Sequence, residues 1–269
     1  MVRTPSRFWL WTLPLIVGSA AAAVFATGLF FALRGSVGEP LSAAPPPATT
    51  PAPRHARDGT ERILVLGDSL ARGTGDETGK GFAVDVLEEF RKRGKAELTN
   101  LGVNGLESGE IRTTAESANV RSLAADADLI LVSAGANDLS HAAAGATRSP
   151  SAAADAVAQA RRDYASNLRA ILSALREANP SAPIGVLGLY DPFGGGPQAV
   201  SGPGRMGSSV ILQWNAIAAE TAVSYPGVFV IPTFDLFQGR ADRLSADRYH
   251  PNRKGYEEIA KRILQALPG

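Results

Sequence analysis

From residue 60 onward, short apolar runs alternate with longer amphipathic stretches. Arg62–Leu66 (RILVL), Glu97–Leu101, Asp128–Ser133 (DLILVS), Ile184–Leu189 (IGVLGL) and Val228–Pro232 are runs of strand length, several of them closed by glycine. Between them, Phe82–Arg93, Ala152–Ala178 and Ser208–Val223 repeat their apolar positions at helical spacing, and Asn252–Leu267 does so at the C-terminus. Gly94 and Asn179-Pro180 are natural stops for the first two helices. Strands alternating with helices predict an α/β fold, with a five-stranded parallel sheet covered on both faces. In such sheets, sites form at the carboxyl ends of the strands. Three glycine-bearing polar turns should therefore converge at one edge: Gly67-Asp68-Ser69, Gly102-Val103-Asn104-Gly105 and Gly135-Ala136-Asn137-Asp138.

The N-terminal pattern is different. Residues 8–33 carry no charge over 26 positions, enough as a helix to cross a ~30 Å hydrocarbon core. Arg3 and Arg7 precede this run, and Trp9 and Trp11 sit where an interfacial belt would lie. Residues 1–35 are expected to form one transmembrane signal anchor, with the rest of the chain on the extracytoplasmic side. A cleaved leader, cut near Ala21-Ala22-Ala23, would instead release the protein; the apolar run continuing to Leu33 favours the anchor. Residues 36–58 are rich in Pro, Ala, Ser and Thr without apolar periodicity, and read as an extended linker. Residues 59–269 are the expected globular domain.

Composition narrows the chemistry. The net charge is +1 over 269 residues, without the basic stripe of a nucleic-acid binder. There is no cysteine, which excludes a thiol nucleophile, a disulfide and a Cys-based zinc site. No phosphate-binding glycine loop occurs, and the three histidines are scattered, so neither a cofactor nor a metal is expected.

Those three histidines make the search for a base short. His55 lies in the linker and His141 in an Ala-rich segment, whereas His250 sits in Asp247-Arg248-Tyr249-His250-Pro251-Asn252 just before the last helix. An acid three residues ahead of a histidine can reach its ring, fix its tautomer and stabilise the imidazolium. Ser69 directly follows the first strand, where its hydroxyl can project from the sheet edge. Gly105 offers an unobstructed N–H and Asn137 a side-chain amide, which with the Ser69 N–H could form an oxyanion hole.

These residues resemble the GDSL, or SGNH, hydrolase family, in particular its lipase/acylhydrolase branch with lysophospholipase-like and thioesterase-like members. Gly67–Leu70 reads GDSL; Asn100 to Gly105 has the spacing N-x-x-x-x-G; Gly135–Asp138 reads G-x-N-D; and Asp247–Pro251 reads D-x-x-H-P. The resemblance spans residues 61–267 and implies a flavodoxin-like three-layer αβα fold. It also implies Ser69 as nucleophile, His250 as base, Asp247 as its orienting acid, and Ser69, Gly105 and Asn137 as the oxyanion hole.

The implied substrate is a carboxylic ester or thioester, such as a lysophospholipid or lipid ester, acted on by a monomer. Three alternatives share the sequence: removal of O-acetyl groups from acylated envelope glycan, O-acyl transfer to such a glycan, and a catalytically silent binding domain. Asp68 and Asp138 read as residues that bond turn amides, and His141 as a surface histidine without an orienting partner. Tyr249 could wall a pocket, and Asp76, Glu77 and Lys80 form a polar loop after the nucleophile. The stretch 191–207 reads as one long Gly/Pro-rich loop, with Phe193 placed to line a pocket.

Overall fold

The computed structural model describes residues 59–144, 150–193 and 202–268. The expected anchor and linker (1–58) lie outside the described residues; within them, no helix is long and apolar enough to cross a membrane.

Five parallel strands form the sheet: β1 (Thr60–Gly67), β2 (Lys95–Gly102), β3 (Leu129–Ser133), β4 (Ile184–Leu187) and β5 (Val228–Ile231), in the order β2-β1-β3-β4-β5. This is the flavodoxin-like order, and it reverses at β1 and β3. The alternation of side chains along each strand divides the core in two. Leu64, Leu66, Ile130, Val132, Ile184 and Val186 face one layer, while Ile63, Val65, Leu129, Leu131 and Ile231 face the other.

The short helix α1 (Ser69–Arg72) follows β1, and α2 (Gly81–Arg91) precedes β2. Two more, α3 (Ser108–Glu116) and α4 (Ala118–Asp126), lead into β3. Then come α5 (Ala136–Ala144), α6 (Pro150–Ala178), α7 (Gly202–Ala222), the single turn α8 (Phe234–Phe237) and α9 (Arg253–Ala266). The first layer is built by α3, α4, α6 and α7. Tyr164, Leu168, Ile171, Leu172 and Leu175 of α6 recur at helical spacing and are fully buried there. The second layer is built by α2, α8 and α9, through Phe82, Val86, Phe237, Tyr256, Ile259 and Ile263.

The strands stand where the apolar runs predicted them. Helices α3, α4 and α5 were not anticipated, and the expected loop 191–207 is shorter: Gly202 to Gly207 form the first turns of α7. A Gly-Pro-Gly opening reads as a breaker in sequence. Proline is nonetheless well suited to a first helical turn, where its missing N–H is no loss.

Candidate active site

The turn after β1 brings Ser69 to the sheet edge. Asp68 caps α1: its Oδ1 accepts the Leu70 N–H at 3.0 Å and the Ser133 hydroxyl at 2.7 Å, tying the ends of β1 and β3 together. This carboxylate is fully buried, and burial raises its pKa despite the hydrogen bonds that favour the charged form. Asn100, near the end of β2, donates to the Ala71 carbonyl at 2.8 Å and accepts the Gly102 N–H at 2.9 Å. The Val103 N–H reaches the Gly67 carbonyl at 3.0 Å. The start of α1 is thus pinned to both neighbouring strands.

His250 arrives from the other side of the sequence. Leu244 and Pro251 form an isolated antiparallel bridge, and the Ser245 N–H meets the His250 carbonyl at 2.8 Å, so residues 244–251 make a tight loop ahead of α9. Arg248, with φ 56°, is the one non-glycine residue at positive φ among the described residues. The loop puts His250 Nε2 2.9 Å from Ser69 Oγ and His250 Nδ1 2.6 Å from Asp247 Oδ2. Asp247 Oδ1 accepts three more hydrogen bonds, from the Ser245 hydroxyl (2.7 Å), the Tyr249 N–H (2.8 Å) and the His250 N–H (2.9 Å). Desolvation opposes its ionisation, but the bonds from His250, Ser245 and the two amides outweigh it and hold its pKa well below the usual carboxylate range. An ionised acid, an imidazole and a hydroxyl in line can move a proton off the hydroxyl and stabilise the imidazolium that results.

Gly105 lies in the loop after β2 with φ 82°, a conformation that suits glycine. Asn137, in the first turn of α5, donates from Nδ2 to the carbonyl of Leu106 at 2.9 Å. The next residue, Asp138, accepts the Ser108 N–H at 2.9 Å and also the Ser108 hydroxyl; its pKa is raised by burial. One turn on, His141 Nδ1 bonds the Glu107 carboxylate. Residues 106, 107 and 108 are each held by one residue of α5. His141 therefore has the orienting partner that the sequence reading denied it: Glu107, far away along the chain, beside Gly105 in the fold.

A cavity of about 700 Å³ adjoins Ser69. Its walls are mainly apolar and include Leu139, Val157, Leu189, Val210, Ile211 and Phe193, with Tyr190 and Tyr249 near the histidine. The Tyr249 hydroxyl pairs with the Ser140 hydroxyl at 3.0 Å, and the Tyr190 hydroxyl donates to the Tyr249 carbonyl at 2.7 Å. Tyr249 is thus a wall residue. The described lining includes neither Gly105 nor Asn137.

Asp76 is buried and structural, whereas Glu77 and Lys80 of the same loop are exposed. The sequence reading named Asn100 only as a motif position, placed Phe193 and Tyr249 at a pocket, and missed Ser245 and the cavity walls on α5, α6 and α7. For Ser245 a signal existed, since a serine two residues before an aspartate is a common local hydroxyl partner. Among the described residues no cluster of His, Cys, Asp and Glu could hold a metal ion.

Residues 65–258 match the model of the GDSL-like Lipase/Acylhydrolase family. Among curated proteins, the chain is 29% identical over 211 residues to the uncharacterized protein YpmR of Bacillus subtilis, covering 76% of this chain and 80% of that one. It is 24% identical over 216 residues to the spore germination lipase LipC of Bacillus licheniformis, covering 77% and 96%. Among solved structures, it resembles the lipase Lip_vut3 from a goat rumen metagenome, with TM-score 0.67, 24% identity and coverage of 77% and 97%. The acetylxylan esterase Axe2 of Geobacillus stearothermophilus gives TM-score 0.55, 18% identity and coverage of 76% and 93%.

Proposed function

Because this chain belongs to the GDSL-like lipase/acylhydrolase family and is an ester-cleaving hydrolase, we propose that it hydrolyses long-chain acyl esters, lipid esters above all, through an acyl-enzyme on Ser69. The observation that carries this reading is the apolar cavity of about 700 Å³ beside that serine. A water molecule occupies ~30 Å³ in the liquid and a methylene takes similar room, so the cavity has space for roughly 20 non-hydrogen atoms. An acetyl group would leave most of it unfilled. The lipase name of the Bacillus licheniformis relative agrees with this assignment.

In the proposed reaction His250 Nε2 takes the Ser69 proton as Oγ attacks the ester carbonyl carbon. The resulting oxyanion is met by the N–H groups of Ser69 and Gly105 and by the Asn137 amide. The intermediate collapses, the C–O bond to the alcohol breaks, and His250 gives its proton to the departing oxygen. Water then loses a proton to His250 and attacks the acyl-enzyme, which releases the carboxylic acid and returns the proton to Ser69. Asp247 stays ionised and holds the ring throughout. The cycle needs no cofactor and draws every residue from one chain.

The same proposal places residues 59–269 on the extracytoplasmic side, tethered by 1–35 through the linker 36–58. Its support is the uncharged run 8–33. Protease accessibility in intact cells, with and without permeabilisation, tests it. Digestion of the domain only after permeabilisation of the inner membrane would sink this placement.

The central experiment is release of p-nitrophenol from acetate through palmitate esters by the purified chain, beside Ser69→Ala and His250→Ala. The expected profile favours long chains, and both variants lose on the order of 10³-fold or more. Activity confined to acetate would transfer the assignment to deacetylation of envelope glycan. A silent parent protein would point to an acyltransferase or a binding domain.

A further inference from the structure

The serine and the histidine come from turns 181 residues apart, so something must hold the two turns together. The loop 73–81, which runs on from α1, touches the histidine directly. A Cβ at Gly75 would lie 2.8 Å from the His250 Cβ, 2.6 Å from the Pro251 carbonyl and 3.1 Å from the Ser245 hydroxyl. Gly75 (φ 95°) therefore backs the histidine as closely as a residue without a side chain can. Its loop is continuous with the nucleophile's helix, because the Thr74 N–H bonds the Ser69 carbonyl at 3.0 Å.

That loop is latched to the helix that follows the histidine. Arg253, the first residue of α9, bonds Asp76 Oδ2 at 3.0 Å, the Asp85 carboxylate, and Glu257 Oε1 at 3.1 Å. Asp76 has a fully buried side chain, and its other donors, the Thr78 N–H and hydroxyl and the Gly81 N–H, belong to its own loop. Arg253 is thus the cross-link between the buried acid and α9. A second tie runs from the Tyr256 hydroxyl to the Thr74 carbonyl at 2.8 Å.

We infer that Arg253 is a positioning residue for the hydrolysis proposed above: by gripping Asp76 it presses Gly75 against His250 and sets the distance from Nε2 to the Ser69 hydroxyl. It touches neither substrate nor the reacting atoms. Its loss removes the grip on the buried acid and leaves the loop held to α9 only through Tyr256 and the backbone N–H of residue 253 on Glu77. The histidine loses support, while the walls of the acyl cavity on α5, α6 and α7 are untouched.

The test is a double-mutant cycle in the full chain, with turnover expressed per folded molecule from near-UV circular dichroism. Arg253→Met is expected to lower kcat for p-nitrophenyl butyrate by about 10- to 100-fold, in keeping with the cost of misplacing a reacting group by ~1 Å. KM and the butyrate-to-palmitate preference stay unchanged, and Arg253→Lys recovers part of the loss. In the His250→Ala background, where there is no ring left to position, the same change alters the residual rate by less than about two-fold. Equal losses in both backgrounds, or a kcat within two-fold of the parent, overturn the inference. If Arg253→Met does not fold, Gly75→Ala carries the test, because it disturbs the contact and leaves the latch intact. A normal Arg253→Met beside an inactive Ser69→Ala would remove the latch and leave the hydrolase reading standing. An inactive parent would remove both.

Discussion

Asp247 grips His250 with both of its carboxylate oxygens: Oδ2 lies 2.6 Å from the ring Nδ1, and Oδ1 accepts the backbone N–H of the same histidine at 2.9 Å. Ring and main chain are fixed by one acid, which sets the orientation of the imidazole. Asp247→Asn keeps the shape but can present an N–H where the ring needs an acceptor. It is expected to lower kcat on the order of 10⁴-fold with KM little changed, and to lower the melting temperature at neutral pH, because the hydrogen bonds that depress the Asp247 pKa stabilise the charged form. Steady-state kinetics on a p-nitrophenyl ester check this, and a loss below ten-fold would show that the acid is dispensable.

Asn137 should matter in the transition state more than in substrate binding. Its amide donates to the Leu106 carbonyl at 2.9 Å, which fixes the side chain; on the proposed mechanism its second N–H serves the oxyanion. Asn137→Ala is expected to cut kcat by about 10²–10³ with a small effect on KM. An unchanged kcat with raised KM would assign the residue to ground-state binding instead.

The cavity predicts a length-dependent variant. Val157, a partly buried residue of α6, lines it at a distance in sequence from every residue of the proposed relay. Val157→Trp should fill part of the volume and lower kcat/KM for the palmitate ester at least ten-fold relative to the acetate ester, since long chains lose the most buried apolar area. Equal changes for both esters would mean that the acyl chain lies elsewhere.

Asp68 predicts a pH effect on stability. Burial raises its folded-state pKa above the unfolded value, so its ionisation weighs against the fold. The penalty is absent below the unfolded pKa and grows as pH rises through the folded one. Asp68→Asn retains an acceptor for the Leu70 N–H and the Ser133 hydroxyl without the charge. Its melting temperature should exceed the parent's near pH 8, and the difference should shrink as pH falls toward 4. Thermal melts across that range decide it; a variant less stable at every pH would show that the charge is needed to hold the cap.

Much of this was legible in sequence because chemistry and topology coincide at the strand ends. The three glycine-bearing turns after β1, β2 and β3 carry Ser69, Gly105 and Asn137, and each turn directly follows an apolar run that reads as a strand. What was not legible depends on residues distant in sequence or small in size. Helices α3 and α4 present Ile111, Ala115, Val120 and Ala124 to the core, and alanines barely stand out as an apolar face. The Glu107–His141 pair, the Gly75–His250 contact and the cavity between α5, α6 and α7 exist only once the sheet has assembled. The Arg253–Asp76 tie joins a helix to a loop 177 residues away, and an arginine at the start of a helix carries no mark of it.

The seam between residues 106–108 and the first turns of α5 has a wider meaning. Water stabilises a new negative charge by turning its dipoles toward it, and that turning takes free energy at the moment of reaction. Here the segment that follows Gly105 is laced to α5 by Asn137, Asp138 and His141 before any ester arrives. On the proposed mechanism the protein carries its own solvent for the transition state, already frozen in the orientation that the reaction will require.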